Sequence, residues 1–206
     1  MRENILFCFV APAGSGKSTV CQQLVNLNSD LALSVSTTSR PPRPGEVNGK
    51  EYFFVNKQEF ESRIKQGDFI EHAIFGGNHY GTEKKNVEQI FSKGFDLLLD
   101  IEVQGVIQLK KIYGARVVTI FIFPPGFKIL RDRLFSRGTE DKKSLEIRLS
   151  TAAKEVEILS QPNFSDYLLI NDQLDRTIQL ANSIIHAERL RFARFSSLYI
   201  TSLINS

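Results

Sequence analysis

Two cysteines and three histidines are all that this 206-residue chain offers to thiol or imidazole chemistry. Cys8 lies inside an apolar run and Cys21 in the helical pattern that follows, so neither a disulfide framework nor a thiolate metal set is spelled out, and a reducing compartment is the default. His72, His79 and His186 are scattered without metal-ligand spacing and read as structural or surface residues, not as ligands or a general base. No apolar run approaches the roughly 18 residues of a membrane span, and Ile5–Val10, ended by Ala-Pro-Ala, is too short for a signal-peptide core. The expectation is a soluble, cytoplasmic protein with no membrane partner. Charge of one sign is also scarce. Lys and Arg total 26 against 23 Asp and Glu, a formal net charge of +3, which suits a small anionic substrate but is too mild to indicate nucleic acid. No internal repeat or low-complexity tract is visible.

What is present is a chain with 42% hydrophobic residues, enough for one domain or one core with inserted subdomains. Short apolar runs at Ile5–Val10, Phe95–Ile101, Val117–Phe123 and Tyr167–Ile170 read as strands buried on both faces. They alternate with helical patterns at Ser18–Leu27, Val103–Tyr113, Gly126–Ser136 and Leu174–Arg194. That order predicts an α/β fold, a parallel sheet wrapped by helices. Two stretches break the rhythm. Residues 36–91 are rich in Ser, Thr, Pro and Gly and read as an inserted sheet with loops, and residues 129–162 as a charged helical lid. The core is then 1–35, 92–128 and 163–206. Asn56-Lys57-Gln58-Glu59 resembles a guanine-reading N-K-x-D, but its last residue is Glu, and helix capping by Asn56 is the better reading.

After the first strand stands Ala11-Pro12-Ala13-Gly14-Ser15-Gly16-Lys17-Ser18-Thr19. This is the P-loop pattern G-x-x-x-x-G-K-[ST] with Ala11 in place of the first glycine. Such a loop turns successive backbone N–H groups around a phosphate while the following helix adds its positive dipole end. Gly14 and Gly16 supply backbone freedom, Lys17 reaches the terminal phosphates, and the Ser18 hydroxyl suits Mg²⁺, a hard cation. A methyl at Ala11 fits if φ there is negative. Asp100, at the carboxyl end of Leu97-Leu98-Leu99, would face the same site and hold Mg²⁺ with Ser18. Alone, Asp100 would read as a turn residue.

"SRPPRPGE" sets Arg40 and Arg43 three apart in a proline-stiffened loop, suited to a second dianionic phosphate through charge-assisted forks. By themselves they would pass for solvated surface arginines, but the same segment carries Ser36, Glu46, Tyr52, Glu71, Tyr80 and Thr82. Together with "NGKEYFFV", "FIEHAIFGGNHYGT", "LLLDIEVQG" and "RLFSRGTEDKKSLEIRL", the sequence resembles the guanylate kinases over most of its length.

The resemblance implies an ATP-dependent, Mg²⁺-assisted phosphorylation of GMP to GDP in purine nucleotide metabolism, with ATP as co-substrate. It makes residues 36–91 the GMP-binding subdomain. It assigns the GMP phosphate to Arg40, Arg43, Tyr52 and Tyr80, with Glu46 supporting the arginine loop, and guanine to Ser36, Glu71, Thr82 and Glu102, with Asp100 nearby. Arg133, Arg137 and Arg148, from the lid region, would reach the phosphates being exchanged, and Asn171 would lie near adenine. Lys17, Arg40, Arg43, Arg137 and Arg148 are the expected catalytic set. Ala11, Ala13, Ser39 and Glu102 depart from the family's usual Gly, Ser, Thr and Asp, and the tail beyond Arg191 exceeds its pattern. Three alternatives stand beside this reading. They are a kinase of another phosphorylated acceptor, a non-catalytic phosphopeptide-binding module of the same fold, and a GTPase switch, the last opposed by the poor N-K-x-D.

Overall fold

The computed structural model describes residues 2–136, 142–162 and 164–204. The chain opens with β1 (Leu6–Val10), the glycine-bearing loop, α1 (Lys17–Leu27) and β2 (Leu31–Leu33). Next come β3 (Thr37–Thr38), β4 (Phe53–Phe54), α2 (Lys57–Gln66), β5 (Phe69–Phe75), β6 (Asn78–Glu83) and α3 (Lys84–Ser92). Then follow β7 (Asp96–Asp100), α4 (Val103–Tyr113), β8 (Val117–Phe123), α5 (Phe127–Ser136) and α6 (Lys142–Leu159). The order ends with β9 (Tyr167–Ile170), α7 (Leu174–Leu190) and α8 (Ser197–Ile204).

Five strands form a parallel sheet in the order β2-β7-β1-β8-β9. β1 is central and buried throughout, and its period-2 alternation feeds two cores. Ile5, Phe7 and Phe9 pack with Val20 and Leu24 of α1 and Ile178 and Ile185 of α7. Leu6, Cys8 and Val10 pack with Val87 of α3 and Val106 and Leu109 of α4. The result is a sheet with helices on both faces, as the sequence predicts. In register, Phe9 pairs with Asp100, so the end of β7 arrives beside the loop that leaves β1. That places both at the carboxyl edge of the sheet, where open α/β folds bind ligands.

Two expectations fail at the sheet's margins. β9 is not buried on both faces: Leu169 is buried, but Leu168 and Ile170 are exposed, because this outer strand has helical cover on one face only. The opposite edge, β2, is a three-residue strand that the sequence reading passed over. The helix expected over Leu174–Arg194 ends earlier, α7 stopping at Leu190, followed by a short 3-10 turn over Phe192–Arg194. The Arg194 side chain is buried, pairs with Glu188 and donates to Ala115 O at 2.9 Å. This pins the tail back on the core before α8. Among the described residues no helix is long and apolar enough to cross a membrane.

The insertion builds a second, mixed sheet in the order β4-β3-β6-β5. β5 and β6 form a hairpin through Gly76-Gly77, whose φ values of 56° and 79° satisfy the tight turn. Asn56 caps α2 as expected, its Oδ1 accepting from Glu59 N at 2.8 Å. The Glu59 carboxylate pairs with Arg63.

Candidate active site

The loop after β1 turns at two left-handed glycines, Gly14 with φ 88° and Gly16 with φ 86°, a region that costs an L-residue about 1–2 kcal/mol. Gly16 is constrained twice over, since a β-carbon there would lie 2.5 Å from Asn171 Nδ2. That amide donates to Ser15 O at 2.7 Å, and Arg133 Nη2 donates to Asn171 O at 3.0 Å. α1 starts directly at Lys17 with no side-chain cap and no acid in its first turn, so its positive end faces the cleft. Ala11 is only 7% exposed and belongs to the core cluster with Phe9 and Leu24.

Lys17 Nζ lies 2.7 Å from Asp100 Oδ1 and 3.2 Å from Ile101 O. Burial alone would push this ammonium down, but Asp100 and Glu102 outweigh it and hold it above the ordinary lysine range. Ser18 Oγ donates to Asp100 Oδ2 at 2.8 Å. Two hard oxygens at the mouth of the loop fit a Mg²⁺ that keeps waters and takes phosphate oxygens, which needs only one or two protein donors.

Across a cleft of about 350 Å³ stands the arginine loop. Arg40 donates to Glu46 Oε1 at 2.8 Å and to Pro41 O at 2.7 Å, and its guanidinium stacks 5.4 Å from the Tyr52 ring centroid. Glu46 Oε2 accepts the Arg43 N–H at 2.7 Å. One carboxylate therefore fixes both arginine positions, and Arg40 in turn holds the Glu46 carboxyl below its ordinary value. Tyr52 and Tyr80 meet edge-to-face at 5.9 Å.

At the cleft's inner end is Glu71, on β5, with Ser36 and Glu102 also in the walls. Glu71 is 3% exposed, and burial pushes its carboxyl up to about 7 against the lowering effect of Thr82. Thr82 Oγ1 donates to Glu71 Oε1 at 2.6 Å. The fully buried Thr82 thus stands behind the carboxylate rather than in the wall.

The cleft thus carries the phosphate loop on one wall and the arginine loop with a buried carboxylate on the other. The guanylate kinase family model matches residues 3–188. The chain belongs to the guanylate kinase family. A guanylate kinase of Clostridium tetani is 40% identical over 202 residues, 98% of this chain and 95% of its own. One from Geobacter sulfurreducens is 40% identical over 94% of this chain and 93% of its own. The crystal structure of guanylate kinase from Anaplasma phagocytophilum superposes with a TM-score of 0.78 at 32% identity, covering 97% of this chain and 93% of that one.

Not every residue expected from the guanylate kinase resemblance lines the cleft. Arg133 is turned to the Asn171 carbonyl. Asn171 is 5% exposed, its amide committed to the phosphate loop rather than open to a base. Arg148 is exposed on α6, outside the walls. Arg137 lies outside the described residues. Conversely, Glu155 of α6 lines the cleft although sequence reasoning missed it. Burial, then the neighbouring Glu102 carboxylate, pushes its carboxyl up to about 7. A signal existed: Ala152, Glu155, Val156 and Leu159 share one helical stripe, and Ala152 and Leu159 are buried.

Proposed function

We propose that this protein transfers the γ-phosphoryl group of ATP to GMP, giving ADP and GDP, with Mg²⁺ bound alongside the nucleotide. The observation that carries this reading is the single cleft in which Lys17, Ser18 and Asp100 oppose Arg40, Arg43, Tyr52, Tyr80 and Glu71. Two phosphate-binding walls facing one another suit a reaction between two anions, and the carboxylate beyond them suits a base that donates N–H groups.

In this reading the loop from Ala11 to Thr19 wraps the ATP phosphates with backbone N–H groups, and Lys17 neutralises charge on the transferring group. Mg²⁺ held by Ser18 and Asp100 would screen the phosphate oxygens of ATP. Arg40, Arg43, Tyr52 and Tyr80 anchor the GMP phosphate, while Glu46 orients the arginines. Its phosphate oxygen then attacks in line, so the protein contributes positioning and charge neutralisation rather than a covalent intermediate. Glu71 accepts from the N1–H and N2–H of guanine, Ser36 and Glu102 flank the base, and Thr82 steadies Glu71. Asn171 and Arg133 brace the phosphate loop. Both cysteines are free and buried, consistent with a cytoplasmic enzyme.

The rival that shares most of this geometry is a kinase of another phosphorylated acceptor. A coupled ADP-release assay across GMP, AMP, UMP and dTMP separates the two. Turnover confined to GMP is expected, and preference for any other acceptor overturns the reading.

A further inference from the structure

We propose that Gly105 and Gln108, on one face of α4, are specificity-positioning residues that hold Glu71 where it reads the base. The inference rests on the assignment of Glu71 as guanine reader.

Gly105 sits in the first turn of α4, its N–H donating to Glu102 O at 3.0 Å, where alanine would be the better helix former. Its φ is not among the positive values of this chain, so the backbone does not demand it. The neighbouring carboxylate does. A β-carbon at position 105 would lie 2.5 Å from Glu71 Oε2 and 3.1 Å from its Cδ, with Ile101 Cδ1 at 3.3 Å. Glu71 Oε1 is already tied to Thr82, so the carboxylate cannot swing aside without breaking that bond. The missing methyl at 105 is the space that Glu71 occupies.

Gln108, one helical step along, fixes the strand that carries it. β5 is the outer strand of its sheet, and outward backbone groups there have no strand neighbour. The Gln108 carboxamide supplies one: Oε1 accepts from His72 N at 3.1 Å and Nε2 donates to His72 O at 2.7 Å. His72 follows Glu71 directly, so this two-point clasp sets the height of the carboxylate. Because α4 begins just beyond Asp100 and Glu102 at the end of β7, one rigid helix relates the base-reading group to the phosphate site.

The test uses the full chain and compares GMP with IMP, whose base lacks the 2-amino donor. Gly105→Ala should lower the GMP/IMP ratio of kcat/KM at least about tenfold, mainly through KM for GMP, with KM for ATP within about twofold. In a Glu71→Asp background, one methylene shorter, the alanine at 105 should cost at most about twofold more. Equal costs in both backgrounds would show no coupling and overturn the inference. Gln108→Ala, which only removes atoms, guards against misfolding by the added methyl and should lower the ratio severalfold. An unchanged ratio for Gln108→Ala would likewise count against the proposal. Glu71→Gln is the control for the underlying assignment. If it leaves the ratio unchanged, Glu71 is not the reader. If it collapses the ratio while Gly105→Ala and Gln108→Ala do not, only the positioning role falls.

Discussion

Asp100 gathers the two reactive groups of the phosphate loop onto one carboxylate, with Lys17 Nζ 2.7 Å from Oδ1 and Ser18 Oγ 2.8 Å from Oδ2. Lys17 is thereby kept charged despite its burial, which is the state that transition-state neutralisation needs. Lys17→Ala should lower kcat about a hundredfold or more. GMP affinity measured without ATP should change less than about twofold, because the acceptor wall is built from other elements. Stopped assays with isothermal titration of GMP check both, and near-normal turnover would remove Lys17 from the chemistry.

Glu71 makes stability depend on pH in an unusual direction. Its ordinary value is 4.5 and burial raises it to about 7. A carboxyl raised on folding contributes stability that is fully present below about pH 4.5 and lost as pH rises through about 7. Glu71→Gln removes that titration, so the stability of the variant relative to the parent, read from urea midpoints without ligand, should rise between about pH 5 and pH 8. A difference that stays flat would mean an ordinary carboxylate. Because guanine offers donors, GMP binding should favour the ionised form and strengthen over the same range.

The sequence made the phosphate loop and its strand legible because both are local: spacing fixes them, and the parallel core follows from runs such as Val117–Phe123. The arginine loop was legible only through family resemblance, since nothing in Arg40 or Arg43 distinguishes a clamp from a wet surface until Glu46 is seen to bind both. Thr82 and Asn171 show the limit. Their side chains look equally able to face a ligand or a neighbour, and tertiary packing turned one to Glu71 and the other to Ser15 O. β2 escaped notice because three residues carry too little periodicity.

The amide of Asn171 offers a prediction that separates bracing from base contact. Removing it leaves the buried Ser15 carbonyl without this donor, at a cost of about 1–3 kcal/mol. Asn171→Ala should therefore lower thermal stability and raise KM for both ATP and GTP as phosphate donors. Its GMP affinity should hold. A variant impaired with ATP alone, at unchanged stability, would show that Asn171 reads adenine.

Arg43→Lys keeps the charge but loses the planar fork. Arg43 is exposed at the cleft wall, so stability should stay within about 0.5 kcal/mol of the parent. KM for GMP should rise at least about fivefold if the phosphate is held by two parallel bonds. An unchanged KM would make Arg43 a surface residue.

Ala11 is the position at which the phosphate loop departs from the pattern G-x-x-x-x-G-K-[ST], and its methyl is packed, being 7% exposed within the cluster of Phe9, Val20 and Leu24. Restoring glycine should therefore cost stability. Loss of one buried methyl group is worth about 0.8 kcal/mol, and the added freedom of the unfolded chain about 0.4–1 kcal/mol. Together these predict a drop of about 1–2 kcal/mol, or roughly 2–8 °C in Tm for a chain of this size. Catalysis should hardly notice, because the two turns that need left-handed backbone are already glycine at 14 and 16. We expect kcat/KM for ATP to stay within about threefold. A scanning calorimetry trace with an unchanged or higher Tm, together with a large gain in kcat/KM, would mean instead that the methyl strains the loop and that the natural sequence gives up activity to keep it.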